Sequence, residues 1–268
     1  MGPGPPNPPQ APASRPPCSD IIGGDMAIQP KKPVLDLDRL TFFIYGDAKV
    51  GKTTLAATFP KPLFIETDPG GEQILALMQT DADYIAVKNL EGYSEALAYL
   101  TTEEFVKSGY KTVVIDTLTL GELMIQEDLL KKQAKQQEYF ESQQGWGKLF
   151  TKMLRTIKWL TDMGIHIVVT CHQKDVEVKN ERGEVIKKEI SPLLWGQIKD
   201  TITGFFDVVA YYEKMPNGSR RLWFDSTSTW WAGERCNLAR SGVRFIDDPT
   251  WPKIEQTIKE VESKRAKT

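Results

Sequence analysis

The sequence is poor in sulfur, has no long apolar run and carries no excess of one charge. Its three cysteines, Cys18, Cys171 and Cys236, stand far apart in 268 residues. That spacing builds neither a disulfide framework nor a cysteine metal site. Cys171 closes an apolar run and reads as a small buried residue. No apolar stretch approaches the roughly 18 residues of a membrane span, and no basic-then-apolar leader opens the chain. The expectation is a soluble, cytoplasmic protein of a reducing compartment, without a membrane partner. A net charge of -2 leaves nucleic acid open as a partner, because a basic groove can sit on a neutral or acidic body. No internal repeat of useful length occurs.

Proline, by contrast, is crowded at one end. Residues 1–33 open with "MGPGPPNPPQAPASRPP", which has too few large apolar side chains to build a core and reads as a disordered arm. Residues 34–253 read as one domain, and 254–268, "IEQTIKEVESKRAKT", as a charged helix or tail. Between the ends, short apolar runs alternate with helical patterns. Strands are expected at Phe42–Tyr45, Pro62–Asp68, Tyr84–Val87, Lys111–Thr117 and Ile165–Thr170. Helices are expected after Thr53, over Glu72–Met78, Tyr93–Val106, Thr117 to about Phe140, and Lys148–Met163. "FFDVVAYYEK" and "SRRLWFDS" flank a Pro-Asn-Gly turn and predict a C-terminal β-hairpin. The pattern is that of an α/β fold with a mainly parallel sheet covered by helices on both faces.

The stretch "FFIYGDAKVGKTTLAATF" carries the chemistry. A buried strand leads through Gly46, Asp47, Ala48, Lys49, Val50, Gly51, Lys52 and Thr53 into a helix, which satisfies the G-x4-G-K-[ST] spacing of a phosphate loop. Gly46 lets the chain turn, Gly51 lets the backbone approach an anion, and the N–H groups at the helix start supply partial positive charge. Lys52 is suited to the β and γ phosphates, the Thr53 hydroxyl to Mg2+, and Thr54 completes the cradle. ATP and Mg2+ are therefore the expected ligands. Asp116 ends the run "TVVID", at the strand edge where open α/β sheets hold ligands, and is suited to the Mg2+ shell. The next residue is Thr117, not the glutamate that many hexameric ATPases place there to activate water. A water-activating acid must come from elsewhere, and the candidates are Glu66 and Asp68 in "FIETDPGG".

Together "FIYGDAKVGKTTLAATFPKPLFIETDPGG", "YKTVVIDTLTLG", "WGKLFTKMLRTIKWLTDMGIHIVVTCHQK" and "FFDVVAYYEK" resemble the short phage-encoded RecA-like recombinases, also grouped with phage AAA-type nucleotide-binding proteins. The resemblance spans roughly Leu40–Arg240. It implies a RecA-like P-loop core that binds ATP and single-stranded DNA, assembles on itself as a ring or filament, works beside a single-strand-binding protein and acts in the host cytoplasm. It matches Asp68 to the family's water-activating glutamate, one methylene shorter. It assigns a γ-phosphate sensor to the end of the Ile165–Thr170 strand, where His172 or Gln173 can serve; His166, inside the strand, reads as structural. It also implies that a cation near the hairpin, Lys214, Arg220, Arg221 or Arg235, acts on a neighbouring subunit's nucleotide.

Two basic features are candidates for nucleic acid. After Gln173 come Lys174, Lys179, Arg182, Lys187 and Lys188, with Trp195 and Lys199 beyond them, in the position of a DNA-contacting loop. Their acidic neighbours are nearly as numerous, so the same residues also read as a solvent-exposed hairpin turning at Arg-Gly. Lys148, Lys152 and Arg155 share one face of a helix whose Leu149, Met153, Ile157 and Leu160 are expected to be buried. The expected function is an ATP-hydrolysing, single-strand-binding recombination or annealing protein. A nucleotide-controlled switch acting on a protein partner is the alternative. A small-molecule P-loop kinase is a third reading, although no compact arginine-rich lid is visible.

Overall fold

The computed structural model describes residues 35–265 apart from 69, 137–141 and 196–197. The arm expected over 1–33 lies outside the described residues. Leu35–Thr268 form one compact unit. In chain order its elements are β1 (Thr41–Gly46), α1 (Lys52–Ala56), β2 (Pro62–Glu66), α2 (Gly71–Met78), β3 (Asp83–Ala86), α3 (Leu90–Tyr99), α4 (Glu103–Ser108), β4 (Thr112–Asp116), α5 (Leu118–Gln136), α6 (Ser142–Thr161), β5 (His166–Lys179), β6 (Val185–Pro192), α7 (Ile198–Ile202), β7 (Val208–Lys214), β8 (Arg220–Trp223), β9 (Gly233–Glu234), β10 (Phe245–Asp247) and α8 (Trp251–Arg265).

The sheet runs β10-β8-β7-β1-β5-β4-β2-β3, with β6 on β5 and β9 on β7. β7, β1, β5, β4, β2 and β3 are mutually parallel. β8, β10, β9 and β6 pair antiparallel to their neighbours. This is the mixed sheet of a P-loop α/β fold, with the expected hairpin as β7 and β8. Every residue of β1 is buried, and its alternating side chains feed two cores. Phe43 and Tyr45 join Ile115, Val169, Ile157 and Leu160 on one face. Phe42 and Ile44 join Leu55, Val114, Val168 and Ile258 on the other. The phosphate-loop helix α1 and the C-terminal α8 therefore cover one face, and α6 the opposite one.

Local chemistry moved several boundaries. The single helix expected over Tyr93–Val106 is two, because Thr101 and Thr102 donate their hydroxyls back to Ala98 and Tyr99 carbonyls, ending α3. Thr102 then accepts the Phe105 N–H and caps α4. The helix expected from Lys148 already begins at Ser142. The charged helix expected from 254 starts at Trp251 and sinks Ile254, Ile258 and Val261 into the core. His166 is buried, with Nδ1 3.3 Å from the Leu40 carbonyl and its ring against Trp251. No helix among the described residues is long and apolar enough to cross a membrane.

Candidate nucleotide site

Parallel pairing brings the ends of β1, β2 and β4 to one edge of the sheet, beside the middle of β5 and β7. Gly46 stands opposite His172 and Tyr212, and Glu66 opposite Asp116. The loop after β1 carries the crowded glycines: a Cβ on Gly46 would lie 2.1 Å from the Tyr212 carbonyl oxygen. Gly51 has φ 106°, a left-handed conformation in which a side chain is strained. Asp47, Ala48 and Lys49 are exposed, Val50 is buried, and Thr53 and Thr54 are half-buried at the start of α1. Lys52 is buried, and its Nζ donates to the carbonyls of Gly46 at 3.0 Å and Asp47 at 2.7 Å. Burial lowers its pKa, and the Asp116 carboxylate opposes that shift.

Asp116 is the hub. Thr53 Oγ1 donates to its Oδ2 at 2.5 Å, and Thr170 on β5 donates to its Oδ1. Burial pushes the carboxyl upward, while those two hydroxyls and Lys52 act against it. A hydroxyl and a carboxylate in contact form the donor pair that suits Mg2+ when phosphates and water fill the other positions. No group of three or more His, Cys, Asp or Glu among the described residues is placed to hold a metal alone. The ion would add charge neutralisation at the phosphates.

The two candidate acids differ. Glu66 ends β2 and is buried, with Oε1 accepting the Asp68 N–H at 3.1 Å and Oε2 buried without a partner. Burial, then the nearby Asp116 charge, raises its pKa to about 9. Both influences favour the neutral acid over the carboxylate. Asp68 lies two residues past the strand, half-buried, and its charge reaches Lys52, Asp116 and His172. Both acids line a cleft of about 490 Å3 with Glu72, Tyr84 and Lys88.

A family model described as an AAA domain matches residues 38–236, from the turn before β1 through β9. The chain belongs to the AAA domain family. This AAA domain is thus an ATP-binding and ATP-hydrolysing unit, and the Thr53–Asp116 pair fits the Mg2+ that accompanies the nucleotide. No curated protein matches the chain.

Strand parity places the AAA domain's sensor candidates. His172 follows Val168 and Thr170 on the face covered by α1, while Gln173 follows Cys171 on the other. Burial, then Lys52, lowers the His172 pKa. Gln173 instead donates to Asp175 at 3.3 Å. Thr170 escaped the sequence reading because a β-branched residue inside "IVVTC" looks like any strand residue. Glu122 was also missed. It is a buried carboxyl on α5 that accepts the Trp195 N–H at 3.1 Å, and burial raises its pKa to about 7.

The segment after Gln173 is a hairpin rather than a loop. β5 runs on to Lys179, pairs with β6 and turns at Gly183. Lys187 pairs with Glu189 at 2.6 Å and Lys179 with Glu177 at 3.8 Å. Lys174 Nζ lies 3.5 Å from the Leu194 carbonyl, and Arg182 and Lys188 are exposed. Lys152 and Arg155 are exposed on α6, across the sheet from α1; the Lys148 and Lys199 side chains lie outside the described residues. Among the hairpin cations, Arg221 forks onto Asp247 at 2.6 and 3.0 Å. Arg235 donates to the Gly204 carbonyl at 2.5 Å, and Lys214 is exposed near the tip. Arg220 reaches its own phosphate loop, where its Nε donates to the Val50 carbonyl at 2.7 Å.

Proposed function

We propose that this AAA domain is a RecA-like, DNA-responsive ATPase that binds single-stranded DNA and acts in recombination or strand annealing. One observation carries the reading. The strand that bears Thr170 against Asp116 and carries His172, whose titration feels the Lys52 charge, continues without interruption into the charged β5–β6 hairpin. A change at the phosphates thus has a direct mechanical route to an exposed surface holding Lys174, Lys179, Arg182, Lys187 and Lys188. In this reading Lys52 neutralises charge developing on the transferred phosphoryl group. Thr53 and Asp116 hold the metal, His172 senses the γ-phosphate, and Asp68 orients or deprotonates the attacking water. The assignment to Asp68 rests on its match to the water-activating glutamate of the RecA-like resemblance, and is supported by burial of Glu66, which favours that residue's protonated, non-basic form.

The paired charges on the hairpin, Lys187 with Glu189 and Lys179 with Glu177, favour a second reading in which the hairpin grips a protein and the nucleotide sets its position. ATP turnover measured with and without single-stranded oligonucleotide separates the two. Stimulation by the oligonucleotide supports the first. Unchanged turnover at saturating oligonucleotide, with no binding by anisotropy, transfers the hairpin to a protein partner.

A further inference from the structure

Of the four cations expected to serve a neighbouring subunit, Arg220 is the one built into the phosphate loop of its own chain. Its position is fixed from both sides. The Arg220 N–H donates to Asp248 Oδ1 at 2.9 Å, and its carbonyl accepts the Asp248 N–H at 2.6 Å. From this anchored backbone the side chain crosses to the Val50 carbonyl. A Cβ on Gly51 would lie 2.8 Å from Arg220 Nε, so the guanidinium lies over a face that only glycine leaves open. Its neighbour in the sheet, β7, presses the Tyr212 carbonyl against Gly46. The β7–β8 hairpin thereby contacts both glycines that bound the loop.

From this contact we infer that Arg220 is a positioning residue acting in cis: it sets the orientation of the Val50–Gly51 peptide so that the loop is preformed for a nucleoside di- or triphosphate. A trans peptide is planar, with C=O and N–H on opposite sides. Holding the Val50 carbonyl toward the hairpin turns the Gly51 N–H away from it, leaving that donor for an anion held in the loop. The charge on Arg220 strengthens the bond relative to a neutral donor. Without it, the peptide can rotate at a glycine with few steric limits, and part of the binding energy is spent on ordering the loop.

The inference rests on the nucleotide reading of the loop and is tested separately from it. Full-chain wild type, Arg220→Ala, Arg220→Met, Arg220→Lys and Lys52→Ala are titrated with fluorescent ADP in Mg2+ and melted without nucleotide. The Ala and Met variants are expected to bind ADP about tenfold more weakly, with an unchanged melt in the absence of nucleotide. The Lys variant recovers most of the affinity, because an ammonium can reach the same carbonyl. The Met variant keeps the apolar stem on β8 and decides the matter if the Ala variant melts early. Mixing Arg220→Ala with Lys52→Ala subunits is expected to leave ATP turnover no higher than that of the Arg220→Ala subunits alone. Wild-type ADP affinity in the Ala and Met variants overturns the inference, as does recovery of turnover on mixing, which would assign Arg220 to the neighbouring subunit. If wild type itself fails to bind ADP, the nucleotide reading falls and takes the inference with it.

Discussion

Burial decides what each ionisable side chain at the sheet edge can do. Lys52 is buried and its proton is held by two carbonyls of its own loop, so it is already in place before any phosphate arrives. Lys52→Ala is expected to cut ATP turnover by about 100- to 1,000-fold with a near-normal melt; an intact rate would remove the loop from the catalytic site. Asp68→Asn is expected to lose most turnover while keeping ADP affinity, since loss of a base is felt in the transition state. Glu66→Gln retains turnover, because the neutral acid is replaced by a neutral amide of the same shape. The reverse result, measured by steady-state rates for both variants, makes Glu66 the base. Glu122 supplies a pH signature away from the metal ligands. Its folded pKa of about 7 lies above the ordinary 4.5, so between those values the folded chain keeps a proton that the unfolded chain has released. Stability therefore falls as pH rises through that window and levels off above it, by up to about 3 kcal/mol. Glu122→Gln, which keeps the acceptor for Trp195, is expected to flatten that slope in melts from pH 4.5 to 8. At this scale the sequence was informative where spacing alone carries meaning, as in Gly46 to Thr53. It was silent on Thr170, Glu122 and the state of Glu66, whose roles depend on what the fold places around them.

Elements were legible where periodicity was strong and ambiguous where one pattern served two structures. The buried runs of β1, β2 and β4, the Pro-Asn-Gly hairpin and the face of α6 could be read from the residues alone. The α3–α4 break depended on two threonine hydroxyls inside a continuous helical pattern. The Lys-rich segment fitted both a loop and a hairpin, and antiparallel pairing with β6 settled its backbone. Because this arm mixes charges, its affinity for single strands under our proposal is mostly phosphate contact. Replacing Lys187 and Lys188 together by alanine is expected to lower that affinity and to reduce the salt slope by about 1 to 2. Anisotropy titrations at several salt concentrations read both quantities, and an unchanged slope would move any DNA contact to the Lys152 and Arg155 face of α6. In α8, Ile258 is fully buried; Ile258→Ala is expected to cost about 2–5 kcal/mol in denaturant melts. A loss within error would mean that the C-terminal helix does not contribute to the core.

Across the whole molecule, β5 lies between the phosphate-loop strand β1 and the Asp116 strand β4. Alternation of strands and helices in the sequence implied a parallel sheet but not this order, which long-range pairing alone fixes. Under the proposed function, sedimentation with a non-hydrolysable ATP analogue and an oligonucleotide together is expected to give a larger particle than either ligand alone. Equal sedimentation in all conditions would show that nucleotide and oligonucleotide do not drive assembly. The central placement of β5 has a further consequence, which is one of leverage. From His172 to Lys179 the strand extends about 23 Å at the usual rise per residue, and pairing with β6 stiffens it. A tilt of about 5° at the root, too small to disturb the packed core, would sweep the Gly183 tip through about 2 Å over that length. Under the proposed function the nucleotide end would be the short arm of a lever whose long arm lies in solvent, and shortening the hairpin would shrink the stroke in proportion.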